Sequence, residues 1–317
     1  MRAIDLFSGA GGFTTGATLA GADVVWAANH WDSAVACHAA NHPGVEHVQQ
    51  DLAEMDWTQC PAADLLLASP ACQGHSQAGQ PARQGTGGSH APNADRLRVK
   101  GQRDRNTAWA VLAAADTIRP ERMVIENVVD FTRWEAFEAW RGVLHSFGYE
   151  TRVQVVNGLH YGGAQDRPRA VVTARLGRPA AVLADRTSGG LTIGHCLDRD
   201  DHSDNRWAPI ESKPARMQPL IAKAQNQAGA RCFWANVSES RGRRLDEPFP
   251  TSTTQSGTQW NLIDGDRIRV LNPREMARSM SFPDTYQLPA QRKLAGKLIG
   301  NAIDVSLARG IVEQVMA

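Results

Sequence analysis

The first half of the chain alternates short apolar runs with longer stretches in which apolar residues recur at helical spacing. This alternation predicts strands and helices in the order of a parallel α/β sheet with helices on its faces. The predicted strands are Ala3–Phe7, Asp23–Ala28, Val45–Gln49, Leu65–Ala68, Met123–Glu126, Thr151–Asn157 and Arg169–Ala174. The predicted helices are Gly12–Ala20, Ser33–Asn41, Thr107–Ile118 and Trp134–Phe147. We therefore expect a doubly wound, Rossmann-like sheet.

The periodicity fades in the second half. Residues 177–259 combine Pro, Gly and Arg with short β-like pieces, which indicates a second, smaller domain that is irregular and β-rich. Helical spacing then returns and predicts two helices, near Pro273–Met280 and Asp304–Met316. The expected domains are residues 1–176, completed by residues 290–317, and residues 177–289.

Composition places this chain of 317 residues among ordinary folded proteins, since 42% of it is hydrophobic and 21% is charged. These fractions exclude a disordered or fibrous protein. The net charge is only +1, so any affinity for nucleic acid must be local. Segment Arg216–Arg244 has six basic residues against one acid, and Gln77–Asp104 is a long polar loop with several arginines. A loop of this length inside a compact domain is usually functional.

The five cysteines are widely spread and form no CxxC pair, so neither a disulfide framework nor a metal site is indicated. The chain has no apolar run of about 18 residues, and it opens without the apolar stretch of a signal peptide. We expect a soluble protein of a reducing cytoplasm, without a metal.

A glycine-rich turn follows the first predicted strand, in segment Asp5–Phe13 (DLFSGAGGF). Glycine lets a ligand approach the backbone, and the helix behind the turn offers free N–H groups. Polar and aromatic residues also follow the second and third strands, at Asn29–Asp32 (NHWD) and Asp51. Because the carboxyl ends of strands border the nucleotide crevice of a doubly wound sheet, this pattern predicts an adenosine-bearing cofactor.

Three further positions carry residues suited to catalysis. Cys72 follows the fourth strand in a polar loop, where a nucleophile would stand at the mouth of the sheet. Glu126 ends an apolar strand, and burial of its charge is costly unless the carboxyl is paired or protonated. Arg167 and Arg169 share one face of a strand, so they could hold Glu126 together with a substrate oxygen. The alternatives are a buried structural cysteine and surface salt bridges.

The order and spacing of these motifs resemble those of the DNA cytosine-C5 methyltransferases. The six matching motifs are Asp5–Phe13, the Cys72-Gln73 loop, Glu126-Asn127-Val128, Gln165-x-Arg167-x-Arg169, Arg269–Pro283 (RxLxPRExxRxxxFP) and Gly300-Asn301-Ala302. They occur in the family's order and leave only the middle region unmatched. The resemblance implies the class I methyltransferase fold and an enzyme that uses S-adenosylmethionine to methylate carbon 5 of cytosine in duplex DNA.

The resemblance also implies a role for individual residues. Cys72 would be the nucleophile that adds to cytosine C6, and Glu126 would hydrogen-bond N3 and the amino group. Arg167 and Arg169 would orient Glu126 and the base carbonyl. The residues that would bind the cofactor are Phe7, Gly9, Gly11, Gly12, Phe13, His30, Trp31, Asp51 and Asn301.

The family flips the cytosine out of the duplex before it reacts. The resemblance therefore implies that residues 177–289 form a target-recognition domain, and that the loop after Cys72 closes over double-stranded DNA. The expected DNA contacts are Gln73, Ser76, Arg83, Arg105, Arg241, Arg243, Thr251 and Thr253. A restriction endonuclease of the same site is the further expected partner, and we expect a monomer.

Three positions depart from the family pattern. Ala71 stands directly before Cys72, where the family usually has Pro, and His30 takes the place of an acidic residue. Asp304 lies in a motif that lacks the common Pro. Two alternatives stay open on sequence alone. One is a tRNA cytosine-C5 methyltransferase, which would need a shorter and less basic middle region. The other is a non-catalytic DNA-binding relative, which has no physical need to keep Cys72 and Glu126 together.

Overall fold

The structure is a computed structural model, and it describes residues 1–71, 107–187, 189–199, 206–237 and 240–317. The chain divides into two compact units. Unit 1 comprises Met1–Asn157, Pro168–Asp185 and Ala308–Ala317, and unit 2 comprises Gly158–Arg167 and Arg186–Leu307. The functional domains expected from the sequence stay a prediction, because compactness does not test which residues bind cofactor or DNA.

Unit 1 is built on a seven-stranded sheet. Its strands are β1 Arg2–Leu6, β2 Asp23–Asn29, β3 Glu46–Gln49, β4 Leu65–Ala68, β5 Arg122–Asn127, β6 Tyr149–Asn157 and β7 Pro168–Leu176. They are ordered β3-β2-β1-β4-β5-β7-β6. Strands β1 to β5 are parallel, and β7 runs antiparallel to both β5 and β6. The predicted parallel α/β sheet is therefore confirmed for β1 to β5, and the β6–β7 hairpin adds an antiparallel edge.

The helices described in unit 1 are α1 Gly12–Leu19, α2 Asp32–Asn41, α3 residues 107–118 and α4 Phe137–Ser146. All residues of β4 and β5 are buried, as expected for strands that are covered on both faces. One predicted helix start is wrong. Val129–Arg133 forms a 3-10 turn and Trp134 is extended, so α4 begins only at Phe137. The Trp134 ring stacks on Phe131 instead of continuing a helical face.

Unit 2 contains an antiparallel sheet of short strands. They are β8 Ala208–Pro209, β9 Arg231–Ala235, β10 Gly242–Arg243, β11 Trp260–Asp264 and β12 Arg267–Val270, ordered β10-β9-β11-β12-β8. Its helices are α5 Ile193–Cys196, α6 Gln218–Ala228, α7 Ser256–Gln259, α8 Pro273–Arg278 and α9 Arg292–Asn301, and α10 Val305–Met316 begins in unit 2 and ends in unit 1. Ile221 and Ala224 of α6 pack on Cys232 and Trp234 of β9.

The predicted second, β-rich region and the predicted helices near α8 and α10 are confirmed. The pattern did not predict α6 and α9, in which polar residues and glycine interrupt the apolar positions. None of the helices in the described ranges has the length and apolar character needed to cross a membrane.

Candidate active site

A turn with left-handed backbone joins β1 to α1. Phe7, Gly9 and Gly11 have φ values of 61, 56 and 88°. Glycine adopts this region freely, whereas a residue such as Phe7 does so at a cost of roughly 1 kcal/mol. The Gly11 N–H donates to the Ser8 carbonyl at 2.9 Å, and this bond closes the turn directly before α1. The first N–H groups of α1, which begins with the buried Gly12 and Phe13, lack helical acceptors, so the turn offers backbone donors to a ligand.

The ends of β2 and β3 lie beside this turn. The Ser8 N–H donates to the Ala28 carbonyl at 3.1 Å, and the Gln50 N–H donates to the Asn29 carbonyl at 3.2 Å. The Asn29 side chain in turn accepts from the Trp31 N–H at 2.9 Å and so fixes the chain after β2. Three strand ends of unit 1 are therefore tied together by backbone hydrogen bonds.

These strand ends present the predicted cofactor-binding side chains. Trp31 and Asp51 are half-buried and His30 is exposed. The Asp51 carboxylate accepts from the Ala53 N–H at 3.1 Å, which orients the carboxylate at the end of β3. A helix N-terminus behind a glycine turn, a half-exposed indole and an oriented carboxylate on one edge suit an adenosine-bearing cofactor. Asn301, also predicted to bind the cofactor, is exposed at the end of α9 in unit 2.

Glu126 and Arg169 form a buried ion pair in unit 1. Arg169 Nε and Glu126 Oε1 are 2.8 Å apart, and each side chain is only 10% exposed. The pair forms because the antiparallel register places Asn127 of β5 opposite Ala170 of β7, next to Arg169. Arg169 also donates to the Pro168 carbonyl at 2.7 Å. The contact predicted between Arg169 and Glu126 is confirmed, and it supplies the partner that a carboxylate buried in an apolar strand requires.

Two side chains hold the residues that precede Cys72. Asn127 Nδ2 donates to the Pro70 carbonyl at 3.1 Å, and the Ala71 N–H donates to Thr107 Oγ1 at 3.0 Å. A proline at position 71, which the family pattern favours, has no N–H and could not make the second bond. Sequence reasoning missed Thr107, which lies far away in the sequence at the start of α3. The amide of Asn127, placed after a buried glutamate, was the only available signal for the first bond.

Arg167 is buried among backbone carbonyls of unit 2. Its guanidinium donates to the Ser252 carbonyl at 2.8 Å and to the carbonyls of Gly300 and Ala302, each at 3.0 Å. It thus ties the segment around Ser252 to the end of α9. Gly300 is required there, because a Cβ would lie 2.3 Å from the Thr253 carbonyl oxygen. The structure therefore places Thr253 against Gly300, which directly precedes Asn301. The predicted role of Arg167 toward the base stays a prediction.

Asp304 has a structural role that explains its departure from the family pattern. Its carboxylate accepts from the N–H groups of Ser306 and Leu307 at 2.9 and 3.1 Å, which caps the start of α10. The Ser281 hydroxyl donates to it at 3.2 Å. Asp304 is 1% exposed, and burial raises its pKa to about 6.

The predicted DNA-contacting residues of unit 2 are exposed or half-buried. Arg241 and Arg243 both contact the Glu247 carboxylate, and Arg244 pairs with Asp246. The local surplus of positive charge predicted for Arg216–Arg244 is thus partly neutralised by two acids that lie just beyond that segment. Thr251 is exposed, and its hydroxyl donates to the Asp166 carbonyl at 2.6 Å.

The other predicted site residues lie outside the described residues. They are Cys72, Gln73, Ser76, Arg83 and Arg105. In the part of the chain that the structure does describe, no group of three or more His, Cys, Asp or Glu side chains could hold a metal ion.

A cavity of about 180 Å³ lies in unit 1 near the start of β5 and the end of β7, lined among others by Arg122 and Arg175. Glu126 and Arg169 lie toward the opposite ends of the same two strands. The cavity therefore does not belong to the edge that carries the predicted catalytic groups.

Comparison with known proteins agrees with these observations. The model of the C-5 cytosine-specific DNA methylase family matches residues 1–188 and 192–317. The chain is 26% identical to the Type II methyltransferase M.NlaX of Neisseria lactamica, over 100% of this chain and 96% of the relative. It is 23% identical to the Type II methyltransferase M.FnuDI of Fusobacterium nucleatum, over 99% of this chain and 94% of the relative.

The crystal structure of the S. pombe Dnmt2 methyltransferase has the same fold, with a TM-score of 0.69 over 100% of this chain and 98% of that chain, at 19% identity. The family model covers almost every residue and includes all six motifs. The chain therefore belongs to the C-5 cytosine-specific DNA methylases, and it methylates carbon 5 of cytosine in DNA.

Proposed function

We propose that this chain methylates a cytosine flipped from duplex DNA, with Cys72 as the nucleophile and S-adenosylmethionine as the methyl donor. The observation that carries the proposal is the ion pair of Glu126 with Arg169, next to the bond from Asn127 to Pro70. These contacts place an anchored carboxyl on β5 and fix the chain two residues before the proposed nucleophile. A non-catalytic relative would have no physical need for a buried carboxylate together with a thiol at the end of the neighbouring strand.

Catalysis begins with the addition of the Cys72 thiolate to C6 of cytosine, which makes C5 electron-rich. A thiolate suits this step because it is strongly nucleophilic and leaves again readily. Glu126 donates a proton to N3 and accepts from the amino group, so that negative charge does not build up on the ring. Arg169 orients Glu126, and Arg167 contributes to the positioning of the base carbonyl. Once the electron-rich C5 has taken up the methyl group, the C5 proton is lost to water, the N3 proton returns to Glu126 and the Cys72 thiolate leaves, which restores the aromatic ring.

The cofactor supplies an electrophilic methyl group when it is bound. The glycine turn at Gly9, Gly11 and Gly12 lets the polar end of the cofactor approach the start of α1, and the half-buried Trp31 suits its adenine. Asp51 accepts from the adenine amino group, and His30 takes the ribose contact that an acidic residue makes in the family. The remaining proposed contacts are Phe7, Phe13 and Asn301.

DNA recognition is assigned to residues 177–289 and to the loop that follows Cys72. Arg241, Arg243, Thr251 and Thr253 contact DNA in this proposal, and two of them must exchange Glu247 for phosphate when DNA binds. The remaining proposed contacts are Gln73, Ser76, Arg83 and Arg105. We further propose that the enzyme is a cytoplasmic monomer paired with a restriction endonuclease that cuts the same DNA site.

The test is incubation with S-adenosylmethionine that carries a tritiated methyl group, together with either duplex DNA or tRNA. We expect label in DNA cytosine with the wild type and none with Cys72→Ala. Labelled DNA from Cys72→Ala would contradict the mechanism, and label in tRNA alone would contradict the substrate.

A further inference from the structure

A chain of buried hydrogen bonds leads from the cofactor turn to a half-buried histidine. Asp5 of β1 is 0% exposed, and its Oδ2 accepts from the Thr14 hydroxyl at 2.7 Å. The Thr14 hydroxyl lies 3.0 Å from His38 Nε2, and His38 Nδ1 lies 2.7 Å from His47 Nε2. We call these four residues the Asp5 network. It begins two residues before Phe7, passes through the first turn of α1 and the last turn of α2, and ends on β3.

A second connection ties a third histidine to the same turn. The Thr15 hydroxyl donates to the Gly11 carbonyl at 2.7 Å, so it must accept from His42 Nε2, which is 3.1 Å away. The rings of His38 and His42 are 4.7 Å apart. Thr14 and Thr15 therefore link the histidines both to the carboxyl beneath the turn and to a carbonyl of the turn itself.

The Asp5 network has two self-consistent directions of hydrogen bonding. When Asp5 is ionised, the Thr14 hydroxyl donates to it, His38 Nε2–H donates to Thr14, and His47 Nε2–H donates to His38 in place of the bond from His47 to the Val45 carbonyl. When Asp5 is protonated, every donor and acceptor reverses, and His38 Nδ1–H donates to His47. The proton state of a fully buried carboxyl is thus coupled to the donor or acceptor character of His47.

Burial sets the electrostatics of the network. It raises the pKa of Asp5 to about 7, against the opposing effect of the hydrogen bonds from Thr14. Burial lowers the pKa of His38 to about 2 and that of His42 to about 4, and it also lowers that of His47. The sheet neighbours of Asp5 are apolar, Ala27 in β2 and Leu67 in β4. Among the residues that the structure describes, the titratable groups next to Asp5 and Thr14 are His38 and His42 of α2 and His47 of β3, and burial opposes the charged form of all three histidines.

We propose that Thr14, His38 and His47 are positioning residues for cofactor binding, because their hydrogen bonds set whether Asp5 beneath the turn is a carboxylate or a carboxylic acid. This inference rests on the proposed binding of S-adenosylmethionine at the turn. That cofactor has one positive charge more than its product, S-adenosylhomocysteine. An ionised Asp5 therefore favours the cofactor over the product, so cofactor competes more effectively with bound product as pH rises.

The first test measures the dissociation constants of both compounds by calorimetry between pH 6 and pH 8. For the wild type, the ratio of product to cofactor dissociation constant should rise by about threefold or more with pH, with a midpoint near pH 7. Asp5→Asn should give a flat ratio. A flat wild-type ratio, or an unchanged rise in Asp5→Asn, would overturn the inference.

The second test separates the network from plain charge effects. A lysine at position 47 can only donate a hydrogen bond to His38, so His47→Lys favours the direction in which Asp5 is ionised. The midpoint of the pH dependence of the dissociation-constant ratio should therefore fall by about half a pH unit or more. Thr14→Val cuts the network and should abolish this fall, whereas Thr14→Ser keeps the hydroxyl and should preserve it. His145→Lys is the matched control, because His145 also contacts a threonine hydroxyl at 2.7 Å but lies on α4.

If His47→Lys lowers the midpoint equally in the presence of Thr14→Val, the shift is a plain effect of the lysine charge, and the inference is overturned. If Thr14→Val does not fold, the comparison of His47→Lys with His145→Lys decides, since equal shifts overturn the inference. Absence of cofactor binding at every pH would instead overturn the proposed function, and the inference with it.

Discussion

Replacement of Glu126 by glutamine changes one atom of the ion pair with Arg169 and keeps the shape of the side chain. Glu126→Gln removes the negative charge that faces the Arg169 guanidinium, which is only 10% exposed. Removing one partner of a buried pair costs about 3–5 kcal/mol of stability, since the remaining charge stays desolvated. Glutamine can still accept a hydrogen bond from Arg169, so we expect the lower end of this range.

The catalytic effect of Glu126→Gln has a separate cause. The amide cannot supply a proton to N3, so the stabilisation of charge during the addition of Cys72 is lost. Loss of one such donor typically lowers the turnover number by about a hundredfold to a thousandfold. The KM for DNA should change little, because most binding energy comes from contacts to the DNA backbone.

Single-turnover methyl transfer and urea unfolding measure the two effects on the same protein. Glu138→Gln is the matched control. Glu138 pairs with Arg141 at 2.9 Å on α4, but its side chain is 77% exposed, so its loss should cost at most about 0.5 kcal/mol and leave turnover unchanged. Turnover of Glu126→Gln within about threefold of the wild type would refute the assigned role of this carboxyl.

Three further predictions concern unit 2 and DNA. Gly300→Ala should destabilise the protein by about 1–3 kcal/mol in thermal unfolding, since its Cβ would lie 2.3 Å from the Thr253 carbonyl oxygen. Gly44→Ala, with no atom within 4 Å of the new Cβ, is its control, and equal effects would contradict the argument. Folded Asp304 has its pKa raised from 3.8 to about 6, so the stability that its proton contributes is present below about pH 4 and is lost as pH rises through 6. Asp304→Asn should therefore gain more stability relative to wild type at pH 8 than at pH 4.5 in urea unfolding, and equal gains would disprove this. Affinity for duplex DNA, measured by fluorescence anisotropy, should fall steeply with salt despite the net charge of +1, whereas a flat response would exclude phosphate contacts as its source.

The parallel sheet could be predicted because its strands are continuous apolar runs. Strand β4, with sequence LLLA, is buried throughout, and a short apolar run of this kind is typical of a strand that is covered on both faces of a parallel sheet. The short strands of unit 2 could not be placed individually. Strand β10 has only two residues, and its pairing with β9 depends on the closeness of Gly242 to α6, where a Cβ would lie 2.1 Å from the Ala224 carbonyl oxygen. Contacts of this kind leave no periodic signal in the sequence.

Some contacts of the candidate site could likewise be predicted from the sequence, and others could not. The spacing of Arg167 and Arg169 predicted a partner for Glu126, and Arg169 is that partner. Spacing could not reveal that Arg167 donates to carbonyls more than eighty positions away, nor that Thr107 accepts from the Ala71 N–H. These bonds depend on which loops meet after folding.

Covalent catalysis requires a bond between Cys72 and C6 of cytosine, and a cytosine that cannot complete the reaction traps this bond. Duplex DNA that contains the enzyme's target site with 5-fluorocytosine is incubated with S-adenosylmethionine, and the products are separated under denaturing conditions. Fluorine cannot leave C5 as a proton does, so the bond between Cys72 and C6 should persist. We expect a stable protein–DNA adduct with the wild type and none with Cys72→Ala. An adduct with Cys72→Ala, or none with an active wild type, would contradict the mechanism.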